Sequence, residues 1–112
     1  MTYNSNRVEN IVLTQNTVSG NTETLVGSIY LTPRNINLIR AFLGETSSES
    51  ATASLKMVKN SDASTIVTLA SSSAAASVTA ADTAIAAAGW YDFYLYTNHA
   101  SGVAFCSGVR FE

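Results

Sequence analysis

Apolar and polar residues alternate along most of this chain in runs of six to ten positions broken by turn residues. In TETLVGSIYLTP, Leu25, Gly27, Ile29 and Leu31 alternate with Val26, Ser28 and Tyr30 before Pro33 ends the run. Successive residues of a strand point to opposite faces, so a period of two predicts a β-strand. ATASLKMVKN behaves the same way, with Ala51, Ala53, Leu55, Met57 and Lys59 alternating with Thr52, Ser54, Lys56 and Val58. Asn60-Ser61-Asp62 then supplies turn chemistry and STIVTLA a further strand, so the pair predicts a hairpin. Val8 to Val18 is rich in β-branched residues and stops at Ser19-Gly20-Asn21, which predicts an earlier strand and turn.

Two stretches carry conflicting signals. In RNINLIRAFLGE, Ile36, Ile39 and Leu43 recur at helical spacing, and Thr32-Pro33 with Gly44 would cap a helix, but Ile36, Leu38 and Phe42 also fit alternation through Arg40. Strand-like neighbours favour a strand, with ETSSES as the polar loop after it. Ala70 to Ala88 is biased toward Ala, Ser and Thr. Thr79 with Asp82 resembles a capping box, yet Val78 and Ile85 are the only large apolar residues there, too few to anchor a helix. A weakly packed strand or loop is the better expectation. About eight short strands at this spacing predict an all-β fold, an antiparallel two-sheet β-sandwich of the jelly-roll kind, as one domain spanning 1-112.

The last stretch, AGWYDFYLYTNHASGVAFCSGVRFE, has the densest pattern. On a strand, GWYDFYLY places Tyr91, Phe93 and Leu95 on one side and Trp90, Asp92, Tyr94 and Tyr96 on the other. An unpaired carboxylate in a core costs several kcal/mol, so the Asp92 side should face out and Tyr91, Phe93 and Leu95 in. If Thr97 to Ser101 closes a hairpin, Leu95 falls opposite Val103 and Phe93 opposite Phe105, and the outer rings lie over Gly102, Ala104, Cys106 and Gly108. Trp and Tyr are the residues that most often anchor protein contacts, so Trp90, Asp92, Tyr94 and Tyr96 form the candidate partner or oligomer contact. Cover by the chain's own Ser-Ala segment and a sugar-stacking platform are the competing readings.

Composition narrows the function. Charged residues make up 12% of the 112 positions, about half the usual share, while 46% are hydrophobic. Six basic and eight acidic residues give a formal net charge of −2 and stand singly along the chain, so the clustered cations that nucleic acid requires are missing from the sequence. Cys106 is the only cysteine, which fits a reducing compartment and a small buried residue. Met1 to Asn10 is polar and reads as a flexible N-terminal arm, with neither the basic-then-apolar pattern of an export signal nor a membrane span after it. Ala70 to Ala88 is interrupted by too many hydroxyl groups to span a membrane, and a soluble protein is expected.

Chemistry finds little support. A Cys106–His99 dyad would need the hairpin to fold the two together, and Glu45, Glu49, Asp62, Asp82 and Asp92 read as solvated carboxylates with no local context marking a catalytic pair. No phosphate-binding loop, dinucleotide fingerprint or zinc-ligand spacing occurs, so no enzyme, cofactor or metal is expected.

The succession VGSIYL, INLIRAFLGE, ATASLKM, AAAGWYDFYLY and GVAFCSGVRFE, from about Leu25 onward, resembles the small jelly-roll structural proteins of tailed bacteriophages, of the capsid decoration (cement) or tail appendage type. That resemblance implies a non-enzymatic virion component made in the host cytoplasm, often a homotrimer, which stabilises a shell by binding across capsid subunits. Its partners would be itself and the major capsid protein or another virion protein, with neither nucleic acid nor membrane. The stretch IAAAGWYDFYL also resembles the closing strands of carbohydrate-binding jelly rolls, which implies a glycan contact at Trp90, Asp92, Tyr94 and Tyr96 as the alternative.

Overall fold

The computed structural model describes residues 9–45, 51–71 and 77–111. All regular structure in them is β: β1 (Glu9–Asn10), β2 (Thr17–Ser19), β3 (Thr24–Leu31), β4 (Arg34–Glu45), β5 (Ala53–Lys59), β6 (Thr65–Ser71), β7 (Ser77–Ile85), β8 (Gly89–Thr97) and β9 (Val103–Phe111). No helix among the described residues is long and apolar enough to cross a membrane. The ambiguous segment after Pro33 is the strand β4, and part of the Ala-rich stretch is the strand β7, paired to β4 from Arg34↔Ile85 to Leu43↔Ser77. Of the arm expected at Met1 to Asn10, residues 1–8 lie outside the described residues, while Glu9 and Asn10 pair with Phe111 and Arg110.

Every pairing is antiparallel, and the strands sort into two sheets. The β9 sheet runs in the order β1-β9-β4-β7, with β2 also on β9, and the β8 sheet runs β3-β8-β5-β6. Because β1 and β2 both lie along β9, they act as one interrupted strand. Counted so, the first strand pairs with the last, the second with the seventh, the third with the sixth and the fourth with the fifth. This is a long hairpin folded over on itself, the jelly-roll topology. The hairpin expected from ATASLKMVKN and STIVTLA is present as β5 and β6, with Asp62 closing the turn by accepting hydrogen bonds from the Ser64 N–H (3.0 Å) and hydroxyl (2.7 Å).

The continuous strand expected from Val8 to Val18 is interrupted, for a reason the sandwich supplies. The Ile11 N–H still bonds Val109 of β9 (2.9 Å), but Leu13 then bridges Gly27 of β3 in the other sheet, and the Thr14 N–H bonds the Val26 carbonyl (2.7 Å). By Asn16 the chain is back on β9. The segment thus stitches the edge of one sheet to the edge of the other, covering backbone groups that an open edge would expose. Gly27 permits it: a Cβ there would sit 2.9 Å from the Val12 carbonyl oxygen and 3.2 Å from Ile11 Cγ2.

Between the sheets lies one apolar cluster that includes Val26, Leu31, Ile39, Leu43, Leu55, Met57, Leu69, Ile85, Tyr91, Phe93, Leu95, Cys106, Val109 and Phe111. Tyr91, Phe93 and Leu95 are at most 1% exposed, as the alternation predicts. The buried Tyr91 hydroxyl is not left unpaired, since it donates to the Ala87 carbonyl at 2.6 Å.

The closing hairpin is not formed. β8 and β9 belong to different sheets, and residues 98–102 carry the chain across the sandwich as an arch. The facing of β9 is therefore the reverse of that expected: Ala104 and Cys106 are fully buried, while Val103 and Phe105 are only half-buried on the outer side. Two strands joined by a short loop share pairing parity only if they share a sheet, and a five-residue connection is long enough to span the roughly 10 Å between stacked sheets instead. An extra residue in β9, Ser107, then shifts the parity, so that Val109 and Phe111 also point inward.

Candidate functional site

The outward row of β8 begins with Trp90, which is 56% exposed and lies directly opposite Tyr30 of β3, itself 51% exposed. Their ring centroids are 5.8 Å apart at an interplanar angle of 75°, the edge-to-face arrangement that the aromatic quadrupole favours. Farther along, Leu25 (47% exposed) stands opposite Tyr94, while Tyr94 and Tyr96, both half-buried, stand opposite Lys56 and Ser54 of β5. Lys56 is ion-paired with Glu23 at 2.6 Å, and that hydrogen bond to Glu23 raises its pKa above the ordinary lysine value. The four residues predicted as a contact row do lie along one strand on one face. The glycines and small residues expected beneath them are absent, because β9 is in the other sheet; Tyr30, Leu25 and Lys56 stand beside them instead.

Asp92 is placed differently from its neighbours in that row. It is only 8% exposed, and both carboxylate oxygens are engaged: the Ser28 hydroxyl donates to Oδ1 at 2.7 Å and the Asn60 amide to Oδ2 at 2.8 Å. The Asn60 N–H also bonds the Trp90 carbonyl at 3.0 Å. Asp92 therefore ties β3, β8 and the β5–β6 turn together beneath the exposed rings, and serves as their support.

The Ser-Ala stretch does not roof this face where it is described, because β7 pairs with β4 in the other sheet; residues 72–76 of that stretch lie outside the described residues.

A second group of polar side chains, unmarked in the sequence, gathers at the arch. Glu45, expected to open a solvated loop, is 1% exposed. Its Oε2 accepts from the Thr97 hydroxyl at 3.2 Å and its Oε1 from the Val103 N–H at 3.3 Å. Gly102 is needed there, since a Cβ would lie 2.7 Å from Glu45 Oε2. The arch is pinned further by Gly20 N–H to the Gly102 carbonyl (2.9 Å) and by the reciprocal backbone and side-chain bonds between Asn98 and Thr52. Glu45 and Asp92 are thus buried structural ties, and of the five carboxylates read as solvated only Asp62 is seen to be so. Glu49 lies outside the described residues, as does the side chain of Asp82.

His99 and Cys106 form no dyad. His99 Nδ1 accepts the Ser101 N–H at 3.1 Å within the arch, while the buried Cys106 thiol donates to the Gly108 carbonyl at 3.6 Å. Burial pushes that thiol up to about 11, the wrong direction for a nucleophile. Among the described residues no group of three His, Cys, Asp or Glu side chains is placed to hold a metal ion. No protein-family model matches the chain, and no curated protein matches it.

Proposed function

We propose that this jelly roll is a non-enzymatic structural protein whose contacts, with its own copies in a homotrimer and with other proteins, run through the outer face of the β8 sheet, and that its setting is a virion: a capsid decoration or cement protein that binds across capsid subunits. The observation that carries the docking reading is the Tyr30–Trp90 pair, two large rings on neighbouring strands, each more than half exposed. Such rings anchor interfaces because they bury a large area while losing little side-chain entropy. Asp92 fixes the strands beneath them, which lowers the ordering cost of binding. The resemblance of the strand succession to phage structural proteins supports the choice of setting.

A glycan-binding role asks for an aromatic face with a hydrogen-bond acceptor beside it. Asp92 is only 8% exposed and its oxygens already hold Ser28 and Asn60 beneath the rings, so protein docking is the better reading. Mass spectrometry of purified virions, with copy number per particle, tests the setting. Hundreds of copies are expected for a shell protein, a few copies would place the chain in a tail, and absence would remove the virion assignment. Titration of Trp90 fluorescence with a glycan panel separates the alternative, for which a saturable response to a sugar would overturn the docking assignment.

A further inference from the structure

The opposite outer face of the sandwich holds a juxtaposition that no run of charge in the sequence announces. Strand register sets Arg40 of β4 directly opposite Arg110 of β9, with Asn10 of β1 opposite Arg110 on its other side. Both arginines face outward, because Ile39 and Ala41 on one strand and Val109 and Phe111 on the other are buried. Like charges at directly opposed positions destabilise an antiparallel pair, and an anion between them reverses the sign of that term. Each of the two arginines also holds an interaction within the chain. With five N–H donors apiece, an internal contact and an external one are compatible.

Beside the pair is a hollow of about 280 Å³ lined by Asn10, Arg40, Phe42, Gly108 and Arg110 together with Ala41 and Val109. Its origin is local. Phe42 is 40% exposed and stands opposite Gly108, which has no side chain to fill the space and whose missing Cβ would meet nothing within 4 Å. The bulge at Ser107 separates Gly108 from the Cys106↔Leu43 pairing that precedes it in β9.

We propose that this hollow binds an acidic, partly apolar peptide segment of a partner protein. A Glu or Asp carboxylate sits in the fork between Arg40 and Arg110, where bidentate recognition is available, and a neighbouring apolar side chain packs on Phe42. Two cations on a chain of net charge −2 are too few for a nucleic-acid track, and the exposed ring next to them suits a side chain better than a bare ion. The surface lies on the other sheet from Tyr30 and Trp90 and does not depend on the function proposed for that face.

The test uses amide NMR spectra of the whole protein titrated with a capped peptide of alternating Glu and Leu. Expected are saturable shifts centred on Asn10, Arg40, Phe42, Gly108 and Arg110, weakened at least about tenfold by Arg40→Gln or Arg110→Gln and weakened by raising the salt. Gly108→Val enters the hollow through a Cβ that meets nothing within 4 Å and should abolish binding while leaving the rest of the spectrum in place, which separates a blocked site from a misfolded chain. The proposal is overturned by no shift, by equal binding of the Gln counterpart of the peptide, by unchanged binding to the variants, or by inorganic phosphate moving the same amides as strongly as the peptide does.

Discussion

The two faces of β8 use similar residues to opposite ends. On the inner face Tyr91, Phe93 and Leu95 are sealed between the sheets, while on the outer face Trp90 remains more than half exposed above an aspartate that is almost fully buried. Hydrophobicity alone does not separate the rows, since both are aromatic. What separates them is the sheet's one packed side and the hydrogen bonds that allow Asp92 to be covered without being stranded. Burial of a polar group is decided by its partners, and exposure of a ring by what else the chain has left to lay over it.

The largest test of this contrast is a pair of truncations on the same strand. Phe93→Ala should cost about 3–5 kcal/mol in denaturant unfolding, because it opens a cavity in the shared core. Trp90→Ala should cost less than about 1 kcal/mol, and equal losses would erase the distinction between the faces.

Next comes the inner face of β9, read through its thiol. Burial pushes the folded Cys106 thiol up to about 11, above the ordinary thiol value of 9.0, so the native state holds its proton more tightly than the unfolded chain does. That contribution is fully present below about pH 9 and is lost as pH rises through about 11, by roughly 2–3 kcal/mol in all. Cys106→Ala should flatten that part of the stability profile, and the native thiol should ignore disulfide reagents at neutral pH until denaturant is added. Rapid labelling of the folded protein would contradict the inward placement of Cys106.

Smaller again is the effect at the stitch between the sheets, where Gly27→Ala brings a methyl group against the Val12 carbonyl. A loss of about 1–3 kcal/mol is expected in thermal or denaturant melts. A neutral result would mean that segment 11–14 does not hold the two edges together.

The smallest change concerns the support under the exposed rings. Asp92→Asn leaves an acceptor for Ser28 but turns an amide toward the Asn60 amide, and should cost about 1–2 kcal/mol. An unaffected melting temperature would show that Asp92 is not the tie described.

Much of this architecture was legible in the alternation. The strands β5 and β6, β3 from Gly27 onward, the β5–β6 turn and the inward set Tyr91, Phe93 and Leu95 follow from a period of two, which is a local property of the chain; a bulge between Leu25 and Gly27 breaks the β3 alternation, leaving Leu25 exposed and Val26 buried. The arch was not legible, because a five-residue loop rich in polar and small residues serves a hairpin and a sheet crossing equally well. In GVAFCSG both alternate sets are apolar, so the pattern could not say whether Val103 and Phe105 or Ala104 and Cys106 face inward. Glu45 was hidden for a similar reason. Its partners Thr97 and Val103 are more than fifty positions away, and only the fold brings them to it. The same holds for Tyr30, missed as the partner of Trp90 although its outward position in the TETLVGSIYLTP alternation was a usable signal, and for Arg40 with Arg110, which register alone makes neighbours.

Sedimentation equilibrium of the wild-type chain beside a Tyr30→Ser/Trp90→Ser double variant tests most directly whether the outer face of β8 is a contact surface. The account predicts a wild-type mass three times the 11.8 kDa of one chain, and a variant that falls to the monomer with its unfolding transition intact. A monomeric wild type, or a variant that stays assembled, would contradict it.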